Sequence, residues 1–279
     1  MKTKTNLSEI VRQFEMYLLR EEKSTATVEK YCRDAKVFLS FVGDGEISKD
    51  TALAYKQELI RQGYGVRSIN SMLASVNSLL CFLGLGDCRV KALKTQRQIY
   101  CTEDKELTKA EYLRLVEASK HDKRLCLLLQ TICGTGIRVS ELRYFTVEAV
   151  RQGEIVISCK GKTRNILVPG GLKKKLLQYA KSCGIVSGVI FCTRSGRALD
   201  RSNIWAMMKK LCARAGVKPG KVFPHNLRKL FARTFYGIER DIAKLADILG
   251  HGSIETTRIY IMTTGVEHRR KIERLGLVI

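Results

Sequence analysis

The first part of the chain carries two long stretches in which apolar residues recur at steps of three and four. One runs from Thr27 to Val42 and the other from Ile69 to Leu83. This spacing places the apolar side chains on one face of a helix and so predicts two amphipathic helices. Ser48 stands where the N-cap of a further helix is expected, and Gly84 follows the last stretch. The pattern predicts a compact domain of about four helices.

The apolar periodicity stops between Val90 and Glu106, where the sequence is polar and irregular in the manner of a linker. A capping-box pattern, Thr108 with Glu111 three residues later, starts the next helix. The sequence therefore predicts a helical domain of residues 1–92, a linker of residues 93–106 and a second domain of residues 107–279.

Most of the second domain is also predicted to be helical. Two short β-like runs, Glu154–Cys159 and Ile166–Val168, interrupt the helices, and the residues between them, 160–164, are basic. This arrangement predicts a β-hairpin with a basic tip. The predicted fold class is mainly α with one small hairpin.

The hydrophobic content of 45% is typical of a globular protein. No stretch resembles a signal peptide, and no apolar run approaches the roughly 20 residues that span a bilayer. These features predict a cytoplasmic protein. The ten cysteines are scattered, without a Cys-x-x-Cys pair or a histidine cluster, which predicts reduced thiols and no metal site.

The net charge of +23 is unevenly distributed along the chain. Residues 1–95 carry a net charge of +4 and residues 96–279 a net charge of +19. An excess of this size indicates a polyanionic partner, because lysines and arginines that neutralise phosphates release condensed counterions. A role in solubility alone does not explain why the charge is concentrated in the second part.

Two segments of the second domain offer arginines to a phosphate. Arg138 follows a Gly turn and is predicted in the first turn of a helix, where its guanidinium and the backbone amides suit an anion. The alternative is a surface arginine paired with Glu141. His225 and Arg228 are three residues apart, so a helix would place them on the same face. A single histidine in a basic helix is more often a surface or packing residue.

A tyrosine, Tyr260, lies nine residues after His251 in a Leu-Gly-His-Gly segment. A phenol ordinarily has a pKa of about 10, so it acts as a nucleophile only where nearby cations stabilise the phenolate. Arg138, Arg228, His225 and His251 are the candidates for this role. A tyrosine near the end of a basic chain is more often structural.

The hairpin tip adds further cations. Lys160 is a candidate donor of a proton to a leaving alkoxide, whereas Lys162 and Arg164 are candidate contacts to backbone phosphates. A basic hairpin tip is more often only a contact to nucleic acid.

Together these segments resemble the tyrosine recombinase (phage integrase) family in order and spacing. The family pattern is T-G-x-R-x-x-E-L, a lysine in a G-K-G-like hairpin, H-x-L-R, and L-G-H with a tyrosine nine residues on, and each element occurs here in that order. The helical first part is similar to the family's core-binding (SAM-like) domain. The resemblance therefore covers nearly the whole chain and implies the two-domain fold without an arm-binding domain.

The resemblance implies a site-specific recombinase or integrase that breaks and rejoins DNA strands through a 3′-phosphotyrosyl intermediate. Tyr260 would attack the phosphate while Arg138 and Arg228 hold its non-bridging oxygens. Glu141 would orient Arg138.

The remaining roles follow from the same resemblance. His225 would assist proton transfer to and from the tyrosine, His251 would hydrogen-bond the phosphate, and Lys160 would protonate the departing 5′-oxygen. Fixed cations would stabilise the phosphate charge, so no metal, cofactor or ATP is implied.

Two positions depart from the family pattern. Lys229 stands where many members have a second histidine. The hairpin is compressed, so Lys160 and Lys162 compete for the acid role, and the match to the first lysine of the pattern favours Lys160. Lys162, Arg164, Lys229 and Arg258 are predicted to contact DNA.

The sequence ends in a basic segment with an apolar tip, residues 268–279. In the family a C-terminal helix docks on a neighbouring protomer, so we expect Leu275, Leu277, Val278 and Ile279 to pack in trans. The alternative is packing onto the same domain. The implied partners are double-stranded recombination sites, a homotetramer assembled from chains that are monomeric in solution, and a directionality factor, with a location at the nucleoid.

Two other functions fit part of this pattern. A DNA-binding accessory protein would explain the charge and the helices, but it needs no complete catalytic set. A type IB topoisomerase shares the phosphotyrosine chemistry but exchanges no strands between duplexes. The linker, the core-binding helices and the apolar C-terminus favour recombination.

Overall fold

The computed structural model describes residues 7–94, 101, 103–159 and 162–277. The chain divides into two units, Met1–Arg97 and Gln98–Ile279. The division falls within the segment predicted as a linker, and the domain bounds given above stay a prediction.

The first unit is built from the four predicted helices. They are α1 (Leu7–Arg20), α2 (Thr25–Val42), α3 (Lys49–Arg61) and α4 (Val66–Phe82). Their apolar faces meet in one core that includes Phe14, Phe38, Tyr55 and Leu79. Ser48 caps α3, with its hydroxyl accepting from the Thr51 backbone N–H. The periodicity of the sequence therefore predicted this unit correctly.

The second unit contains nine described α-helices and one two-stranded antiparallel sheet. In chain order they are α5 (Lys109–Ala118), α6 (Lys123–Thr135), α7 (Val147–Gln152), β1 (Glu154–Cys159), β2 (Lys162–Leu167), α8 (Gly170–Ser182), α9 (Arg201–Ala215), α10 (Pro224–Ile238), α11 (Ile242–Leu249), α12 (Ile254–Ile261) and α13 (Gly265–Glu273). Short 3-10 turns include Glu103–Lys105 and Val139–Tyr144. None of the described helices is long and apolar enough to cross a membrane.

The end of the predicted linker is part of this unit. Glu106 is buried, and its carboxylate lies 2.9 Å from Lys229 and 3.3 Å from Arg233 on α10. The capping box predicted at Thr108 is present, because the Thr108 hydroxyl accepts from the Glu111 backbone N–H while the Glu111 carboxylate accepts from that of Thr108. The second unit therefore begins before the helix that the sequence predicted as its start.

The second strand of the hairpin is longer than predicted. It begins at Lys162, and Arg164 lies opposite Ile157 in the register. Alternation along a strand places residues 164, 166 and 168 on one face. Ile166 and Val168 on this face are buried, whereas Leu167 is exposed. Arg164 thus points to the protein interior, not to the tip as predicted.

The C-terminal end of helix α6 lies against α10. The C-cap Gly136 has φ +65°, and a Cβ there would lie 2.3 Å from the Phe231 ring of α10. Glycine is required for both reasons, since L side chains disfavour positive φ and the ring leaves no space. This contact places the loop after α6 against the helix that carries His225 and Arg228.

The C-terminal segment forms the helix α13, but the described apolar residues after this helix do not pack on their own unit. After α13, Leu275 and Leu277 are 62% and 82% exposed. Packing of these two side chains onto the same unit, the alternative considered above, is therefore not found. Val278 and Ile279 lie outside the described residues.

Candidate active site

The site is centred on Tyr260 in the last turn of α12. Its side chain is buried, and its hydroxyl lies 3.3 Å from Nδ1 of His225. The His225 and His251 rings meet the phenol edge-on, at 4.9 and 4.7 Å between ring centres. The Arg228 guanidinium is 5.9 Å from the centre of the phenol ring. The structure thus brings together four predicted residues from two helices, α10 and α12, and one loop.

Arg228 is almost completely buried at the centre of this group. Its two terminal nitrogens donate to the carbonyls of Gly136 and Leu249, both at 2.5 Å. Burial, reinforced by the charge of Arg138, lowers the pKa of Arg228 to about 10. The side chain still carries its positive charge at neutral pH, and His225 lies one turn before it on the same face of α10, as the sequence predicted.

Three arginines converge on the C-terminal end of α11. Arg164 donates to the carbonyl of Ile248, Arg228 to that of Leu249, and Arg138 to that of Gly250. The last carbonyls of a helix have no partner within it and form its negative end. These acceptors hold three like charges close together, which is the arrangement required to bind a phosphate with several guanidinium groups.

One carboxylate partly compensates the three arginines. Glu141, a buried side chain, accepts from Arg138 at 3.0 Å and from Arg164 at 2.5 Å, and from the Arg138 backbone N–H at 2.7 Å. Among the described residues, it is the acid that hydrogen-bonds to the guanidinium groups of Arg138 and Arg164. The cluster keeps a net positive charge and is suited to an anion.

The hydrogen bonds of His251 define its protonation. Arg228 lies 3.0 Å from Nε2 and can only donate, so Nε2 accepts. Nδ1 then carries the proton and donates to the Thr257 hydroxyl at 2.9 Å. Burial, followed by repulsion from Arg228 and Arg138, lowers the pKa of His251 to about 4. The ring is neutral at pH 7 in this structure, and it must accept a proton at Nε2 before that atom can donate to a phosphate.

His225 is prepared to accept a proton from the tyrosine. Burial lowers its pKa below the ordinary value, and the charges of Lys229 and Arg228 lower it further. At neutral pH the ring is therefore uncharged, and in the tautomer that carries its proton on Nε2 the Nδ1 atom accepts from the Tyr260 O–H. The geometry matches a general base beside a nucleophile.

Arg138 differs from its prediction in one respect. It does not lie in the first turn of an α-helix but is the extended N-cap residue of the 3-10 turn Val139–Tyr144. Its side chain is 44% exposed and pairs with Glu141. The paired surface arginine and the phosphate ligand, which we treated as alternatives, are thus compatible descriptions of the same residue.

Two of the predicted DNA contacts, Lys229 and Arg164, lie largely inside the unit in this structure. The Lys229 side chain is 18% exposed and pairs with Glu106, and the Arg164 side chain is 13% exposed and belongs to the arginine cluster. Both are held inside the unit because each has a buried carboxylate as partner. Arg258 remains half-exposed on α12, 3.5 Å from Glu255. Lys160 and the Lys162 side chain lie outside the described residues.

The sequence contained a signal for the role of Arg164. It lies two residues before Ile166 and four before Val168, and alternation along a strand places all three side chains on the same, apolar face. Thr257 was also missed, although it stands three residues before Tyr260 on the same helix face. No sequence signal marks the carbonyl acceptors at the end of α11, because every residue has the same backbone carbonyl.

The chain matches two family models. The model described as "Phage integrase family" matches residues 105–265, and "Phage integrase, N-terminal SAM-like domain" matches residues 11–84. The chain is 31% identical to tyrosine recombinase XerA of Pyrococcus furiosus over all of this chain and 98% of the relative. It is 28% identical to tyrosine recombinase XerD of Xanthomonas axonopodis pv. citri, over 95% of each.

Solved structures show the same fold. A crystal structure of XerA recombinase is 26% identical and matches with a TM-score of 0.55, covering 96% of this chain and 98% of that one. A lambda integrase tetramer bound to a Holliday junction is 17% identical and matches with a TM-score of 0.74, covering 93% and 78%. The site described above therefore lies in a fold shared with these proteins.

Proposed function

Because this chain belongs to the phage integrase family and is a tyrosine-type site-specific DNA recombinase, we propose that Tyr260 forms the covalent bond to DNA. The observation that carries the proposal is the Tyr260 hydroxyl, 3.3 Å from the base His225 and beside a cluster of arginines. A buried phenol in such a cluster has both a proton acceptor and cations to stabilise the phenolate.

In the proposed cleavage step, the Tyr260 oxygen attacks phosphorus as His225 Nδ1 takes the phenolic proton. The bond from phosphorus to the 5′-oxygen breaks, and Lys160 gives a proton to that oxygen. The product is a 3′-phosphotyrosyl bond and a free 5′-hydroxyl. Because the new ester conserves the energy of the old one, a 5′-hydroxyl from a second strand can reverse the step and join the strands without ATP.

Arg138 and Arg228 are proposed to bind the non-bridging oxygens. In this structure their guanidinium groups donate to neutral carbonyls of residues 136, 249 and 250. An anionic phosphate is a stronger acceptor than a neutral carbonyl, so these donors favour DNA once it enters. The same negative charge raises the affinity of His251 for a proton, which prepares Nε2 to donate to the phosphate.

The proposed substrate is a pair of double-stranded recombination sites, acted on by a homotetramer. Solved structures support this, since they include a lambda integrase tetramer bound to a Holliday junction and XerH bound to difH substrate. The exposed Leu275 and Leu277 supply an apolar tip for docking in trans, and the free chain is proposed to be a monomer. Lys162 and Arg258 stay proposed DNA contacts, and a directionality factor and a location at the nucleoid belong to the same proposal.

Strand exchange between two labelled duplexes tests this function. The duplexes carry the DNA that flanks the gene in its native locus, and wild type is compared with Tyr260→Phe. We expect joined products of hybrid length with wild type, and none with the variant, although both bind the duplexes equally. Binding without exchange by wild type would favour the accessory DNA-binding protein, and relaxation of supercoiled DNA without exchange would favour a topoisomerase.

A further inference from the structure

Arg164 occupies an unusual place for a basic residue of a DNA-binding hairpin. It lies on the inner face of β2, opposite Ile157 and two residues before the buried Ile166. Burial lowers the pKa of its guanidinium, while the charge of Glu141 acts in the opposite direction. An arginine whose exposure is 13% cannot lie along a DNA backbone, so its charge has a function inside the protein.

One terminal nitrogen of Arg164 is bonded to the carboxylate that holds Arg138. Glu141 Oε2 accepts from Arg164 at 2.5 Å, while Oε1 accepts from the Arg138 side chain at 3.0 Å. Glu141 Oε2 also accepts from the Arg138 backbone N–H. The orientation of this carboxylate therefore depends on Arg164 on one side and determines Arg138 on the other.

The other terminal nitrogen of Arg164 holds the second support of Arg138. It donates to the carbonyl of Ile248 at the end of α11, next to the Gly250 carbonyl that accepts from Arg138 at 3.0 Å. Arg164 and Gly250 are so close that a Cβ on Gly250 would lie 2.6 Å from Cδ of Arg164. Glycine is required here for this approach as well as for its φ of +62°.

We propose that Arg164 is a positioning residue of the recombinase, which fixes Arg138 for the phosphate by holding Glu141 and the end of α11 at once. The inference rests on the proposed function of the site. Arg164 touches neither the nucleophile nor its base among the described residues, so it acts through Arg138. This role requires the forked guanidinium, because a single ammonium cannot reach both acceptors in the same geometry.

Loss of a positioning residue and loss of a DNA contact should have opposite effects on catalysis and on binding. Loss of a phosphate contact weakens binding and reduces the dependence of log K on log salt by about one. Loss of a positioning contact leaves affinity unchanged and misplaces a group that stabilises the transition state, which reduces the rate by up to about 100-fold.

The test compares Arg164→Lys and Arg164→Gln with wild type and with Asn165→Ala, a neighbouring strand residue that faces solvent. Single-turnover formation of the covalent adduct is measured at saturating DNA, and the Kd is measured at several salt concentrations. We expect both Arg164 variants to form adduct about 10- to 100-fold more slowly, with Kd and salt slope within twofold of wild type. Asn165→Ala is expected to match wild type.

A double-mutant cycle separates positioning from general damage to the fold. If Arg164 acts through the carboxylate, Glu141→Gln combined with Arg164→Gln is about as slow as the slower single variant. Multiplication of the two effects would overturn the proposal. So would adduct formation at the wild-type rate, or a weaker Kd with a smaller salt slope.

Two further outcomes are distinguishable. Arg164→Lys keeps the buried charge paired, so it tests the proposal even if Arg164→Gln fails to fold. If wild type itself forms no adduct, the proposed function fails, whereas a wild type that reacts together with unaffected Arg164 variants removes only this inference.

Discussion

At the scale of single residues, His225 as the proposed base should control the pH dependence of cleavage. In the proposed mechanism its neutral form accepts the tyrosine proton, and its pKa is lowered by burial and then by Lys229 and Arg228. The acidic limb of the rate of adduct formation below saturation, which reports the free enzyme, should therefore rise with pH through this pKa. A lowered pKa keeps the enzyme active at lower pH than an ordinary histidine would.

The variant Lys229→Gln tests this account. It removes a positive charge that lowers the pKa of His225 and leaves the opposing charge of Glu106 in place. The pKa of His225 should rise, so the acidic limb of the pH profile should move to higher pH. Lys244→Gln, which removes an exposed lysine paired with Glu239, is the control and should not move it. A limb that shifts to lower pH in Lys229→Gln would contradict the account.

The second histidine of the site affects stability. The pKa of His251 is about 4 in the folded chain against an ordinary 6.5. Between these values the unfolded chain binds more protons, so the free energy of unfolding should fall as pH decreases from about 6.5 towards 4. His251→Gln should reduce this slope. Urea unfolding followed by the fluorescence of Trp205, the single tryptophan of the chain, measures it, and an unchanged slope would show that His251 is not buried in its neutral form.

At the scale of elements, the end of α6 determines where α10 can lie. Gly136→Ala places a methyl group in the left-handed region and 2.3 Å from the Phe231 ring. The expected loss in the free energy of unfolding is about 3 kcal/mol, from the strained φ and the overpacking together. The matched control is Gly134→Ala inside α6, where the new Cβ would find only Leu172 at 4.0 Å. It should gain up to about 1 kcal/mol, because alanine favours the helix.

Urea unfolding of the two variants decides this prediction. Equal stability of Gly136→Ala and Gly134→Ala would mean that α6 and α10 are not packed as described. The loss in Gly136→Ala should be accompanied by slower adduct formation, because the Gly136 carbonyl also accepts from Arg228.

The elements themselves were largely predictable. The apolar steps of residues 27–42 and 69–83 became α2 and α4, and the Thr108 capping box started α5. The exceptions were determined by tertiary partners. Of residues 162–164 only Thr163 favours a strand, yet β2 includes all three, because the Arg164 side chain is bonded to Glu141 and to the carbonyl of Ile248 inside the unit. Similarly, Lys229 became an internal ion pair because Glu106, 123 residues earlier, lies against it.

The candidate site was predictable in its residues but not in its supports. Tyr260, His225, His251, Arg138 and Arg228 each carried a spacing signal, and the structure brings them together. The carbonyls at the end of α11 hold the arginines in place, and no side-chain pattern reveals which backbone groups lack partners.

At the scale of the whole molecule, the C-terminal tip should matter only on DNA. Leu275 and Leu277 are largely exposed, so Leu275→Ser with Leu277→Ser should leave the unfolding midpoint of the free chain unchanged. Docking in trans would be lost, so the binding of two chains to a recombination site with two half-sites should lose its cooperativity. Binding of one chain to an isolated half-site should stay the same. Gel-shift titrations of the two substrates measure this. Cooperativity equal to wild type would contradict docking by these residues.

The central claim is that Tyr260 becomes bonded to DNA. Trypsin cuts after Arg258 and Arg269, so the adduct formed on a nicked cognate duplex, digested with trypsin and nuclease, releases Tyr260 on the peptide of residues 259–269, which contains no other tyrosine. Mass spectrometry should find the nucleotide remnant on this peptide in wild type and no remnant in Tyr260→Phe. A remnant on a different peptide, or an adduct that persists in Tyr260→Phe, would contradict the assignment of the nucleophile.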